Sequence, residues 1–179
     1  MSAVTVELKY AHLERERRFL LASAPSGVAP RRSLVIQDRY LQGTRLRLRV
    51  VEEQGRVRVC KLGQKVRLDE SSAADLAHTT MYLSDTEFAV LAGLPANTLE
   101  KTRHLVDADG ATVAVDCFHG VLAGLVLAEV DLGVGGSMPS PMPGDPVLEV
   151  TGDERFTGGA LAVTSSSQLR RMLTAYGLA

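Results

Sequence analysis

Charged residues of one sign alternate with apolar residues in several segments of this sequence. They recur at every second position, so each set lies on one face of a β-strand. The pairs are Arg47 with Arg49, Lys101 with Arg103, and Glu129 with Asp131. A solvated sheet face normally mixes charges, because like charges on neighbouring strands repel each other. Separate basic and acidic rows instead predict a charged interior that binds a ligand.

The same segments are bounded by turn residues and read as antiparallel strands. The predicted strands cover residues 33–41, 44–53, 56–62, 76–83, 101–107, 112–118, 126–132 and 148–151. Turns at Gln54-Gly55 and at 108–110 join two pairs of them into hairpins. Capping boxes begin two predicted helices, at 84–94 and 165–177. About eight antiparallel strands with two helices predict a mainly β (α+β) fold, a barrel or a sandwich.

The segment LERERRFLL (13–21) has two interpretations. As a helix it would pair Glu14 with Arg17 or Arg18 at ordinary helical spacing, and the segment taken alone favours this. As a strand it would present Glu14, Glu16 and Arg18 on one side. The hypothesis of a charged interior requires the strand.

Composition narrows the classes of function. A chain of 179 residues fits a single domain over 1–179. The net charge of −1 and the absence of Trp argue against a nucleic-acid partner. No run approaches the roughly 20 apolar residues of a membrane span, and no secretory pattern opens the sequence, so a cytoplasmic protein without a membrane partner is predicted. Cys60 and Cys117 are expected to be free thiols.

Basic and acidic rows that face each other suit one kind of ligand. Guanidinium groups match phosphate oxygens bidentately, and lysines add compact charges. Paired carboxylates hold Mg²⁺ or Mn²⁺, which bind oxygen ligands and bridge to phosphate. The rows therefore predict a polyphosphate ligand together with a divalent metal.

The order of these motifs resembles that of the triphosphate tunnel metalloenzymes, or CYTH superfamily. The family motif E-x-E-x-K followed by F-L corresponds to ERERRFL (14–20), and R-x-R, K-x-R and E-x-D follow at 47–49, 101–103 and 129–131. The resemblance covers nearly the whole chain. It implies a closed antiparallel eight-stranded β-barrel tunnel with a few flanking helices, which binds a triphosphate-containing small molecule.

The resemblance also implies roles for individual residues. The implied metal ligands are Glu14, Glu16, Glu129 and Asp131, which with Arg18 form the implied catalytic set. The implied phosphate-binding residues are Arg18, Arg47, Arg49, Lys61, Lys101 and Arg103. Asp116 and Asp153 stand at positions that are usually acidic in the family, and the alternative for each is a structural hydrogen-bond acceptor.

The sequence departs from the family pattern in three places. Arg18 replaces the usual lysine, His78 and Thr80 stand where two glutamates are expected, and residues 157–159 (TGG) replace Lys and Asn. The implied activity is metal-dependent hydrolysis of a triphosphate, with inorganic triphosphate (tripolyphosphate) as the first candidate. The alternatives are a non-catalytic polyphosphate or nucleotide binding module, a class IV-type adenylate cyclase and a thiamine triphosphatase. The sequence leaves monomer and homodimer open.

Overall fold

In the computed structural model, the described residues are 9–27, 29–69, 72–133 and 136–178. They form nine strands, three short α-helices and two 3₁₀ turns. The strands are β1 (His12–Leu21), β2 (Arg32–Leu41), β3 (Leu46–Glu53), β4 (Arg56–Asp69), β5 (Ser72–Tyr82), β6 (Ala96–Ala108), β7 (Ala111–Phe118), β8 (Val126–Asp131) and β9 (Pro146–Glu149). The helices are α1 (Asp85–Ala92), α2 (Gly158–Leu161) and α3 (Ser166–Thr174), and the 3₁₀ turns are Gly120–Leu122 and Glu154–Phe156.

Eight of the strands form a closed antiparallel barrel. Their order is β5-β4-β3-β2-β6-β7-β8-β1, and pairing of β1 with β5 closes the sheet. The short strand β9 pairs with the end of β1 as an addition to the barrel. Closure pairs the two edge strands of the sheet with each other, which protects both edges. The predicted eight-stranded barrel is confirmed, with one strand more than expected.

The segment LERERRFLL lies in a strand, so the helical interpretation is wrong. Its first half pairs with β5 and its second half with β8 and β9. These backbone pairings outweigh the local helix propensity, which is a weak preference of a few tenths of a kcal/mol per residue. The register places Arg18 opposite Glu129 and Glu16 opposite Asp131.

Both predicted hairpin turns are present. Gln54 and Gly55 have φ of 52° and 72°, and Asp109 and Gly110 have φ of 46° and 76°. Two consecutive residues with positive φ make the tight turn whose twist matches that of the flanking strands.

Three strands and one helix differ most from the sequence prediction. Strand β5 begins at Ser72 rather than residue 76, because its first part pairs with β4 and β1. Strand β4 continues beyond residue 62 to Asp69, because its second half pairs with β5. Strand β6 begins at Ala96 rather than residue 101, since its first part pairs with the end of β2. Helix α2 was not predicted, because its two glycines carry no helical pattern; the side chain of Thr157 caps it.

Apolar side chains surround the charged interior in three clusters. One covers the outer faces of β7 and β8, and a second lies between β3, β4 and α1. The third closes one end of the interior: Leu20 and Leu127 share strand faces with Arg18 and Glu129, and they pack against residues of α2 and α3. The charged interior therefore ends at an apolar plug made by the C-terminal helices.

Two further findings concern thiols and membranes. Cys60 and Cys117 are both free, as predicted. Among the described residues, every helix is too short or too polar to cross a bilayer.

The plug packs tightly on Tyr40, and this generates a test of the fold. A Cβ atom at Gly158 would lie 1.9 Å from the Tyr40 hydroxyl oxygen. Because Tyr40 packs against the plug, we expect Gly158→Ala to lower the free energy of unfolding by about 1–3 kcal/mol in urea titrations. Gly159→Ala is the matched control, since its Cβ would meet Tyr40 at an ordinary 3.8 Å. Equal unfolding midpoints for the two variants would contradict this packing.

Candidate active site

The interior of the barrel brings most of the predicted site residues together. Cross-strand register pairs Arg18 with Glu129, Arg49 with Lys61, and Arg103 with Asp116. Residues that are directly opposite in a sheet point to the same side. Ion pairs between non-adjacent strands also cross the interior, from Arg103 to Glu129 and from Lys65 to Glu14 and Glu16.

Three glutamates gather around the ammonium group of Lys65. Its Nζ lies 2.7 Å from Glu14 Oε2 and 2.8 Å from Glu16 Oε2, and the negative charge of Glu129 also raises its pKa. Burial alone would lower the pKa of this lysine, but the carboxylates outweigh that effect. Lys65 was not predicted, because Gly63 and Gln64 interrupt the alternation before it.

Glu129 connects two arginines from different strands. It accepts a hydrogen bond from Arg18 Nε at 3.2 Å and another from Arg103 Nη2. Burial would raise the pKa of Glu129, but the charges of Arg103, Lys101 and Arg18 hold it well below its usual range. Arg18 also donates to Glu16 Oε1 at 2.6 Å. Arg18 thus joins the carboxylate group to the basic rows.

Asp116 is the counterion of the K-x-R row. It is fully buried and accepts hydrogen bonds from both Lys101 and Arg103. Burial lowers the pKa of Lys101, while Asp116 acts in the opposite direction. Lys101 and Arg103 thus share the carboxylate of Asp116. This fits the role of a structural hydrogen-bond acceptor at residue 116.

Asp38 has the same function for the R-x-R row. It is almost fully buried and accepts two hydrogen bonds from Arg49, at 2.6 and 2.7 Å. Arg47 Nε lies 3.7 Å from the same carboxylate. Asp38 is not among the predicted site residues, although it follows the inward alternation of β2 and lies opposite Arg49.

Lys61 differs from the other basic residues. Among the described residues its ammonium group has no ion-pair or hydrogen-bond partner, and its register partner is Arg49. Burial, followed by the charges of Arg49 and Arg47, lowers the pKa of Lys61 to about 8. A lysine held between arginines without its own carboxylate is an attractive position for an anion.

His78 and Thr80 lie inside the site. His78 Nδ1 is 2.7 Å from Glu14 Oε1, and the Thr80 hydroxyl is 3.1 Å from His78 Nε2. Burial would raise the pKa of Glu14, but the hydrogen bond with His78 and the charge of Lys65 lower it to about 2. Gly63 leaves room for the imidazole, since a Cβ there would approach Nε2 to 3.2 Å. This wall of the tunnel therefore holds a histidine bound to a carboxylate in place of two carboxylates.

Asp131 lies apart from the other acidic residues. Although it is opposite Glu16 in the sheet, its side chain is exposed and accepts hydrogen bonds from the backbone N–H groups of Arg15 and Gly133. These bonds turn its carboxylate toward the end of β8. Nine of the ten predicted site residues therefore meet in the interior, and Asp131 lies at its rim.

The carboxylates fit a divalent cation by their chemistry. Glu14, Glu16 and Glu129 offer the oxygen donors that Mg²⁺ and Mn²⁺ take. Glu14 Oε2 is buried and accepts no hydrogen bond of good geometry, although Lys65 Nζ is close. Within the described part of the chain, no three His, Cys, Asp or Glu side chains are arranged as a preformed metal site. The carboxylates are directed at cationic side chains instead.

Solved structures with the same fold exist. The chain is similar to the inorganic triphosphatase NE1496, with 26% identity and a TM-score of 0.53 over 84% of this chain and 95% of that chain. A second structure of NE1496 matches with a TM-score of 0.52, 26% identity, and coverage of 85% and 99%. A conserved hypothetical protein from Pyrococcus furiosus shares the fold at 16% identity and a TM-score of 0.50, over 93% and 91% of the two chains. No protein-family model matches the sequence, and no curated protein matches it at a significant level.

The closed barrel and its charged interior define a tunnel protein that holds basic and acidic rows face to face. With the similarity to NE1496, they confirm the resemblance drawn from the motifs: the barrel and its interior fit a triphosphate tunnel protein of the CYTH type.

The contrast between Asp116 and Asp131 can be measured. Asp116→Asn leaves Lys101 and Arg103 buried with one carboxylate fewer, so we expect the free energy of unfolding to fall by about 3–5 kcal/mol. Asp131→Asn removes the charge of an exposed residue that bonds to backbone N–H groups, and a loss of no more than about 1 kcal/mol is expected. Urea unfolding of both variants at neutral pH makes the comparison. A larger fall in the free energy of unfolding for Asp131→Asn than for Asp116→Asn would contradict the buried position of Asp116 and the exposed position of Asp131.

Proposed function

We propose that the protein hydrolyses inorganic triphosphate to diphosphate and phosphate. The observation that carries the proposal is the separation of charge inside the barrel. Lys61, Arg47 and Arg49 form a basic region, and the glutamates around Lys65 form an acidic region beside it. A triphosphate with its metal has the complementary arrangement. The similarity to a protein described as an inorganic triphosphatase supports the choice of substrate.

The basic residues have a binding role in this proposal. Arg47, Arg49, Lys61, Lys101 and Arg103, together with Arg18, bind the phosphate oxygens and hold the chain for in-line attack on a terminal phosphorus. Three of them, Arg49, Lys101 and Arg103, are held in position before substrate enters by the buried carboxylates Asp38 and Asp116. Preorganised charge of this kind stabilises the charge that develops in the transition state.

Arg18 acts in the proposal as a fixed positive charge. The carboxylates of Glu129 and Glu16 raise its pKa although burial opposes them, so its guanidinium stays protonated. It therefore neither takes up nor releases a proton during the reaction. Its hydrogen bonds to both glutamates orient these carboxylates relative to the phosphate-binding rows.

Glu14, Glu16 and Glu129 are the proposed ligands of Mg²⁺ or Mn²⁺, with Asp131 as a further ligand at the rim. When bound, such an ion neutralises phosphate charge and lowers the pKa of a water molecule for attack. The carboxylates contribute nothing favourable to a bare polyanion, and this is the reason to assign them to a cation.

The proposal predicts a division of effects between turnover and binding. With Mn²⁺, the wild-type protein should release phosphate from triphosphate, and Glu16→Gln and Glu129→Gln should each reduce kcat by about 10²-fold or more. Without metal, both variants should bind triphosphate at least as tightly as the wild type, because each removes a negative charge from the site. Phosphate release and calorimetry measure the two quantities.

Glu149→Gln is the matched control for these variants. Glu149 pairs with Arg17 and Thr151 and lies outside the carboxylate group around Lys65, so turnover should stay near the wild-type value. Undiminished metal-dependent turnover in both Glu16→Gln and Glu129→Gln would remove the assignment of these carboxylates.

A second candidate is a binding module for polyphosphate or nucleotide. The observation that favours it is the replacement of two expected glutamates by His78 and Thr80, which leaves one wall of the site without carboxylates. A phosphate-release screen over inorganic triphosphate, thiamine triphosphate and nucleoside triphosphates distinguishes the candidates. Tight binding without release would favour the module, and a cyclic nucleotide product would favour a cyclase.

The pKa of Lys61 predicts a pH dependence of binding. With a pKa of about 8, Lys61 is protonated below pH 8 and loses its charge above it. Triphosphate affinity in metal-free buffer should therefore fall as pH rises above 8, by up to about tenfold per pH unit. Lys61→Met should bind triphosphate more weakly than the wild type at pH 7. Its affinity should also lack the part of the fall above pH 8 that comes from deprotonation of Lys61. The titration of the ligand itself is common to both proteins, so identical pH profiles would contradict the assignment.

A further inference from the structure

Lys65 is the cation that occupies the space between the proposed metal ligands. It lies on β4, opposite His78 of β5, and it is not among the residues that the motifs identified. Its Nζ approaches oxygens of both Glu14 and Glu16, whereas Arg18 approaches only Glu16 and His78 approaches only Glu14.

The protein's own side chains engage all four oxygens of this glutamate pair. Oε1 of Glu14 lies against His78 at 2.7 Å, and Oε1 of Glu16 accepts from Arg18 at 2.6 Å. The remaining oxygen of each glutamate lies beside Lys65. A divalent ion that binds between Glu14 and Glu16 must therefore displace at least one of these partners.

Lys65 has the most exposed side chain of the three partners, and His78 the least, at 11%. Arg18 is held by Glu16, Glu129 and the backbone carbonyl of Phe156, and only 14% of its side chain is exposed. The Lys65 side chain is 30% exposed, and its four-carbon stem is flexible. Its ammonium group can leave the carboxylates without breaking the network of Arg18 and Glu129.

We propose that Lys65 makes metal binding depend on triphosphate. Its ammonium group competes with the divalent ion for Glu14 and Glu16, and it transfers to a phosphate oxygen when triphosphate enters the tunnel. This inference rests on the proposed function and extends it to the order of binding. Metal alone must drive Lys65 away from its two carboxylate partners, whereas triphosphate supplies a new anionic partner. By linkage, the metal then strengthens triphosphate binding by the same factor.

The test compares the affinity of Mn²⁺ with and without a non-hydrolysable imidotriphosphate. Free Mn²⁺ is measured by electron paramagnetic resonance, so no turnover is required. In the wild type, the analogue should strengthen Mn²⁺ binding by about tenfold or more, within the usual range of coupling between sites. Lys65→Met should bind Mn²⁺ about tenfold more tightly than the wild type without the analogue, and the enhancement by the analogue should shrink.

Arg67→Met is the matched control. Arg67 lies two residues further along β4 and pairs with Glu154 at 3.5 Å, and its replacement changes the net charge by the same amount. Mn²⁺ affinity of this variant should match the wild type. Equal tightening in Arg67→Met and Lys65→Met would show that only net charge matters and would overturn the proposal, as would unchanged or weaker Mn²⁺ binding in Lys65→Met.

A second measurement uses the unmutated protein, in case Lys65→Met fails to fold. The ¹⁵Nζ resonance of Lys65, assigned by its loss in Lys65→Arg, should shift when Mg²⁺ and imidotriphosphate are added together. A resonance that stays unchanged in the ternary complex would overturn the transfer. Failure of the wild type to bind the analogue would instead overturn the proposed function, whereas the arm with Mn²⁺ alone still tests the competition by Lys65.

Discussion

The hydrogen bonds from Arg18 and Arg103 to Glu129 connect three strands of the barrel through its interior. Most of the charged residues that face the interior of this closed sheet are paired, because an unpaired buried charge costs several kcal/mol. Here β1 supplies Arg18, β6 supplies Arg103 and β8 supplies the carboxylate. Asp38 and Asp116 supply the carboxylate partners for the basic rows at 47–49 and 101–103. The tunnel is thus stabilised by cross-strand ion pairs, and the apolar clusters lie outside it and at its plugged end.

The same ion pairs explain how phosphate and metal can replace some of the contacts between side chains in the interior. Arginines and lysines that are paired with carboxylates are held in place, with their remaining donors available for phosphate. Among the described residues Lys61 has no carboxylate partner, and it adds a positive charge beside Arg47 and Arg49. In the proposed reaction, phosphate and metal take over part of the ion pairing that the side chains provide for each other in their absence. The stability of the fold and the binding of substrate therefore depend on the same residues. For each variant, the free energy of unfolding and the affinity for triphosphate must both be measured.

Much of this arrangement could be predicted from alternation alone. The rows at 47–49 and 101–103 face inward as their spacing indicated, and the hairpin turns are where their residue types placed them. The strand at 13–21 could not be predicted from its own residues, because its conformation is set by pairing with β5 and β8, which are distant in sequence. Lys65 was missed because Gly63 breaks the row. Glu129 and Asp131 look equivalent in sequence, but Asp131 lies where β8 ends and its carboxylate binds backbone N–H groups instead.

The most direct test of this account is a crystal structure with Mn²⁺ and imidotriphosphate, in which anomalous scattering locates the metal. The account predicts a manganese peak bound by Glu14, Glu16 or Glu129. It also predicts phosphate groups inside the barrel against Lys61 and the inward arginines, and Lys65 withdrawn from the carboxylates. Triphosphate bound outside the barrel, with the interior ion pairs unchanged and no manganese at the glutamates, would contradict it.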